Sequence, residues 1–245
     1  MEEAFKINDY LPVSFRNPEE QEYVAFLWSS FELNYKEGKY QFAFIAFHML
    51  YMSAVYFNVW QIRRFAEEDF KKAMIGFGKD DEDLLMKATT PFAFSRLNER
   101  VIFRFFRLLG HEHDRIGGFA QSVKDRNDAA HCNGQMQIRS AGTLDLKIHD
   151  IIQRIDEIQD RSRGTIIRCY TNFLEDSRDP KSRPYIDGED QVREELIHVN
   201  YLSPLDIIFC KRAKILGWSV IDGYEEIEKL HAIVNALDIS VIDAE

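Results

Sequence analysis

The sequence predicts an all-α fold, and three observations lead there. Proline (6) and glycine (12) are scarce in 245 residues, long apolar stretches recur at helical spacing, and no convincing series of alternating strands appears. With 45% apolar and 29% charged residues the composition is that of a globular protein with a real core, not of a disordered chain.

The elements follow in order. Asn17-Pro18-Glu19-Glu20 is a helix start: a capping Asn, Pro in the first turn, and acids at the positive end of the dipole. This first helix runs to about Tyr35, with Gly38 as its stop. A second runs from about Lys39 through Glu67-Glu68-Asp69 to about Ala73, ahead of Gly76 and Gly78. From Tyr40 to Ile62 it carries no charge and is long enough to span a bilayer, but Gln41, His48, Ser53, Asn58 and Gln61 interrupt it. The expectation is therefore a central helix enclosed by neighbours. A short helix fits Asp81–Lys87. After Pro91, residues 92–110 read as one strong helix closed by Gly110, and a fifth covers about 118–132. Residues 134–142 read as a loop. Thr143 then caps a long helix to about Asp176, with Gly164 a possible break. Residues 176–188 hold two prolines and a glycine and read as a linker. Three short helices follow near 189–199, 204–216 and 223–237, and Ile239–Asp243 suits a short extended piece. The organisation expected is a helical bundle over 1–176, a linker over 177–188 and a helical extension over 189–245.

Charge narrows the function. The net charge of −10 excludes a protein that holds polyanions by bulk charge. It is unevenly spread: residues 92–141 carry eight Lys and Arg against five Asp and Glu, while both flanks are net acidic. Within the basic segment, Arg96, Arg100, Arg104 and Arg107 are spaced four, four and three apart, which on one α-helix forms a single stripe. The stripe is all Arg, the side chain suited to bidentate phosphate contact, which makes it a secondary candidate for guiding RNA; charge stripes more often form a solvated, ion-paired face. Cys132, Cys169 and Cys210 lack metal-type spacing, and an odd, scattered set suits a reducing compartment. The start Met1-Glu2-Glu3 is acidic where a signal peptide is basic, so a cytoplasmic location is expected.

The next helix carries Arg126-Asn127-Asp128-Ala129-Ala130-His131. The looser pattern of Arg followed at similar spacing by His also occurs at Arg107–His113 and Arg193–His198, but only here does Asn follow Arg directly. This segment resembles the R-N-x-x-x-H signature of HEPN domains, small α-helical bundles found in toxin–antitoxin ribonucleases, abortive-infection proteins and some CRISPR effectors. The resemblance covers six residues within a helical context over about 18–176. It departs from many toxin members in having Asn133 two residues beyond the His, where they carry Tyr.

The chemistry fits the residue types. On a helix Asn127 and His131 share a face, and Arg126 projects about 100° away. His131 can serve as base or acid near neutral pH, Arg126 can stabilise a phosphorane, and Asn127 can orient them. What the resemblance implies is a metal-independent endoribonuclease without cofactor. It would act as a homodimer whose two motifs share one cleft, in anti-phage defence or under an antitoxin or regulatory protein. A catalytically silent binding or antitoxin module is the alternative.

Other clusters are weaker. His111-Glu112-His113-Asp114 lacks the spacing that sets two His on one helix face and reads as a polar helix start. His48 reads as a hydrogen-bonded core histidine, and His198 as structural because Glu194 and Glu195 adjoin it. No phosphate-cradling glycine loop or nucleophile elbow is present.

Overall fold

The computed structural model describes residues 1–131, 134–215 and 222–239. These residues form helices and no strand, so the fold is all-α. Ile239 lies in no strand; the rest of the C-terminal piece expected to be extended falls outside the described residues.

An N-terminal 3-10 helix, Glu2–Tyr10, precedes the first expected helix; it buries Ala4, Ile7 and Tyr10. Helix α1 (Pro18–Lys36) begins as its sequence dictates, with the Asn17 side chain accepting the Glu19 amide at 3.0 Å. Helix α2 (Tyr40–Phe65) lies against α1 and is buried at every residue from Leu50 to Ile62. Its length and composition would suffice to cross a membrane, yet the rest of the protein buries 83% of its most apolar window.

The polar residues that interrupt α2 explain its place. The Gln41 amide donates to the Ala129 carbonyl (2.7 Å) and its oxygen accepts the Gln137 amide (2.8 Å). Ser53 and Asn58 donate back to carbonyls four residues earlier, and Asn58 also accepts from Ser162. Gln61 donates to Asp206 at 2.9 Å. A helix surrounded by protein must pair its polar groups with protein, and these four side chains do so. His48 does not: its two ring nitrogens have no partner, like the Tyr51 hydroxyl and the Gln61 amide oxygen, so the expected hydrogen-bonded core histidine is buried but not bonded.

The second helix stops at Phe65. Ala66 leaves helical geometry and α3 (Glu67–Ala73) begins at the acidic triplet, which favours a fresh N-terminus over continuation. Helix α4 (Lys79–Lys87) follows.

Residues 91–110 are not one helix. Pro91–Arg96 is a 3-10 helix, Leu97 is extended and buried, α5 (Glu99–Ile102) is a single turn capped by Asn98, and Phe103–Leu109 is again 3-10. The Asn98 side chain accepts the Arg100 amide at 3.0 Å, which starts α5 afresh. The tighter winding beyond it serves two neighbours: Phe105 stacks on Phe70 (4.2 Å), while Phe103 and Phe106 pack on Phe119. Gly110 closes the segment at φ +83°, where a side chain would be strained.

Helix α6 (His113–Ala130) carries the motif and begins five residues before its expected start. Helix α7 (Ala141–Asp176) runs 36 residues without a break at Gly164. Its cap is Ser140, whose hydroxyl accepts the Thr143 amide; Thr143 lies inside the first turn.

Residues 177–188 are irregular but anchored. Arg183 is buried, bonds the Tyr185 carbonyl at 2.8 Å and reaches Glu226 at 3.5 Å. Gly188 allows a close approach: a Cβ there would lie 2.7 Å from the Ile233 Cδ1, which would have to shift. Helix α8 (Gly188–Gln191) continues as a π-helix, Val192–His198; then come α9 (Pro204–Lys211), opened by a Ser203/Asp206 capping box, and α10 (Tyr224–Ala236).

Two apolar clusters share α7. Its first half, Leu144–Ile158, joins the N-terminal helices, and Ile166–Leu174 joins α8–α10. The C-terminal helices also touch the end of α2, through Trp60 to the Val199 carbonyl (3.0 Å) and Arg64 to Asn200 (2.8 Å).

Candidate functional site

The motif occupies the C-terminal turn of α6. Ile116, Phe119, Val123 and Ala129 bury one face of that helix against α2 and the Phe103–Leu109 segment. Arg126 falls at the edge of this buried face and is half-buried. Its guanidinium forms an ion pair with Glu99 in the first turn of α5, through Nη2. The remaining N–H groups of the fork are uncommitted to that pair.

Asn127 is partly exposed. His131 is exposed and is the cap residue, just beyond the helix rather than within it. Its amide donates to the Asn127 carbonyl at 3.0 Å, which keeps the two residues one turn apart, while its own backbone is extended (φ −77°, ψ 141°). Neither side chain forms a hydrogen bond among the described residues. Cys132 and Asn133, and with Asn133 the departure from the toxin pattern, lie outside the described residues.

The surroundings are firmly held. Asp125 accepts from Lys147 of α7 (2.7 Å) and from Gln121 (3.0 Å). Gln41 grips the last turn of α6 from one side and the following loop from the other. Behind Arg126, His48 is held neutral, its pKa pushed down to about 3 by burial and then by the Arg126 charge. Gln41 and Glu99 both serve the site, and neither was assigned to it by the sequence. The available signal for Gln41 was a polar residue inside an apolar run; for Glu99 there was only its position beside Arg100.

The arginines do not form a stripe on one helix. Arg96 ends a separate 3-10 helix, Arg100 sits on α5, and Arg104 and Arg107 lie on the next 3-10 segment. All four are exposed. Arg104 lies over the Phe77 ring (5.6 Å), and Arg107 is 3.9 Å from Glu112. Arg96 borders an open cleft of about 620 Å³ together with Lys87 and Thr90. Arg100, next to Glu99, stands nearest in sequence to the Arg126 pair and has no ion-pair partner among the described residues.

The other histidines have structural places. His111 is buried against the Phe106 and Phe119 rings, while His113 is exposed, so the two diverge. His198 bonds Ser14 (2.9 Å) and Glu194 (3.3 Å). Among the described residues no three His, Cys, Asp or Glu side chains are grouped as metal ligands.

No family model, curated protein or solved structure matches this chain.

Proposed function

We propose that the protein is a metal-independent endoribonuclease of HEPN type, working as a homodimer in anti-phage defence or under an antitoxin. The observation that carries this reading is the last turn of α6. An exposed, unbonded His131 stands one turn beyond Asn127, beside a half-buried Arg126 with free N–H groups.

The reaction needs little more. A histidine takes the proton from a ribose 2′-OH; the 2′-oxygen attacks phosphorus; the bond from phosphorus to the 5′-oxygen breaks; and an acid protonates that oxygen. The products are a 2′,3′-cyclic phosphate and a 5′-hydroxyl. Arg126 stabilises the phosphorane charge, and Asn127 orients the groups. One chain offers one His at this site, so base and acid come from two copies. An exposed apolar surface favours that pairing. Phe26 and Leu33 lie seven residues apart on α1, as do Phe42 and Met49 on α2, and Phe42 adjoins the Gln41 that grips the motif. Exposed Arg100 and its neighbours Arg96, Arg104 and Arg107 guide the RNA.

The second reading, a silent RNA-binding or antitoxin module, is favoured by one observation: Arg126 is already neutralised by Glu99. Incubation with RNA in EDTA separates them. The nuclease reading expects cyclic-phosphate ends from the wild type and at least a hundredfold less from His131→Ala and Arg126→Ala. RNA bound but left intact moves the assignment to the module; equal cleavage by all three proteins marks a contaminant and removes support for the nuclease.

A further inference from the structure

The α1–α2 hairpin leaves four apolar side chains in the open: Phe26, Leu33 and Phe42, each 62% exposed, and Met49. Their placement is regular. On α1, Glu22, Phe26, Ser29, Leu33 and Lys36 are spaced four, three, four and three; all are exposed and lie opposite the buried Leu27 and Phe31. Phe26 and Leu33 are centred on Ser29-Ser30, and Phe42 and Met49 on Ile45-Ala46. Tyr35 against Tyr40 (5.8 Å) and Phe31 against Phe47 (5.2 Å) fix the register of the antiparallel hairpin. That register sets Phe26 level with Met49, Leu33 level with Phe42, and the two centres side by side. The result is two apolar rungs about 10 Å apart along the helices, with small serines between them. Charge divides along the same line. At the Phe26 end, Glu19 and Glu22 have no cationic partner among the described residues. At the Leu33 end stand Lys39, also unpaired, and Lys36, held loosely by Glu32 (3.9 Å), beside one exposed acid, Glu37.

We infer that two copies of the chain pair on this surface, α1 antiparallel to α1 and α2 to α2, about a two-fold axis that passes Ser29-Ser30 and Ile45-Ala46. A half-turn about that axis lays Phe26 on the partner's Leu33 and Phe42 on the partner's Met49, so each rung meets the other rung. The same rotation brings Glu22 to the partner's Lys36 and Glu19 to the partner's Lys39, whereas a parallel arrangement would set acids against acids. Small side chains at the axis let the helices approach. The surface therefore matches its own rotated image in shape and in charge at once, which an isologous contact requires and an unrelated partner does not. At its Phe26 end it runs into a cavity of about 470 Å³ whose lining holds Met49, Tyr56 and Glu99, and Glu99 is the partner of Arg126, so the motif borders the contact. Naming this pair as the nuclease rests on the ribonuclease reading; the pairing itself does not.

The test uses the full chain carrying Cys132→Ser, so that the native cysteines left, Cys169 and Cys210, are buried. Ser29→Cys stands at the axis and faces its own copy, so mild oxidation should link most of the protein into a covalent dimer. Gln21→Cys, exposed on the same helix but far from the axis, should not link. Sedimentation then reads the charges. Glu22→Lys and Lys36→Glu are each expected to weaken the dimer on the order of tenfold, since symmetry changes two contacts at once, and the double variant to regain most of that loss. All these positions are exposed, and unchanged melting curves check that the fold is intact. A wild type that stays monomeric at high micromolar concentration overturns the interface. So does a Ser29→Cys protein that links no better than Gln21→Cys, or a double variant no tighter than either single one. A protein linked at position 29 that never cuts RNA supports the interface and removes only the nuclease reading. Cleavage by a dimer that does not link there overturns the interface and leaves that reading standing.

Discussion

His48 sits in α2 with both ring nitrogens unpartnered, beside Arg126 and Asp125 of α6. Such a group stays neutral while the same residue in the unfolded chain titrates near 6.5. Between that value and the folded value of about 3, the unfolded state binds more protons, so stability is lost as pH falls through this window. His48→Leu is expected to flatten the melting temperature between pH 7 and pH 4 and to recover on the order of 2–4 kcal/mol at the acid end. Asp206 works with the opposite sign, since burial raises its pKa, so the difference between wild type and variant is the quantity to measure. An identical pH slope in both proteins would rule out the assignment. At this scale the sequence named Arg126, Asn127 and His131, because a short motif is a string of letters. It did not disclose the Glu99 partner, 27 positions away, because ion pairs between helices depend on packing.

Among the elements, α6 depends on α2 for its last turn. Gln41→Ala removes two hydrogen bonds and leaves the Ala129 carbonyl and the Gln137 amide to find water. The expected cost is about 1–3 kcal/mol. Faster amide exchange should appear at residues 127–131 and leave α7 unaffected. Uniform acceleration through the chain would mean that Gln41 is only a core residue. A second junction is Asp206, buried at the start of α9, which accepts from Gln61 of α2 (2.9 Å), Gln159 of α7 (2.5 Å) and the Ser203 amide (3.0 Å). Asp206→Ala strands those donors and should cost about 2–4 kcal/mol in urea melts; a loss under 1 kcal/mol would show that water replaces them. Elements with their own start chemistry, such as α1 with Asn17-Pro18, were legible in the sequence. The segment 91–110 was not. Its spacing was helical, but Phe70 on one side and Phe119 on the other drew its phenylalanines apart, and Asn98 supplied a new cap in the middle.

For the whole molecule, the proposed composite site and the acidic surface both make predictions. Phe42→Glu and Phe26→Glu, at exposed positions, should shift the protein to a monomer in sedimentation and reduce cleavage at least tenfold while leaving the fold intact. A wild type that is monomeric and fully active at micromolar concentration would refute the shared cleft. Net charge of −10 with exposed arginines near one site means local grip: the slope of log affinity against log salt should be about −2 to −3, the value for three or four phosphate contacts on a single strand. A much steeper slope would point to an extended basic track instead.

The amino-acid sequence by itself determined the all-α class, most helix starts, the enclosed character of α2 and the six-residue motif. These rest on local rules: caps, dipoles, apolar spacing and neighbouring residue types. Only the tertiary structure decided that residues 66, 97 and 98 interrupt helices, that the four arginines leave a common stripe, and that His131 stands just outside α6. It alone paired Arg126 with Glu99 and set an aromatic cavity beside them. Each of those outcomes sets a local preference of tenths of a kcal/mol against the burial of a Phe or the pairing of a charge. Burial and pairing are worth a kcal/mol or more, and they join residues far apart in the chain, so they prevail where the two conflict.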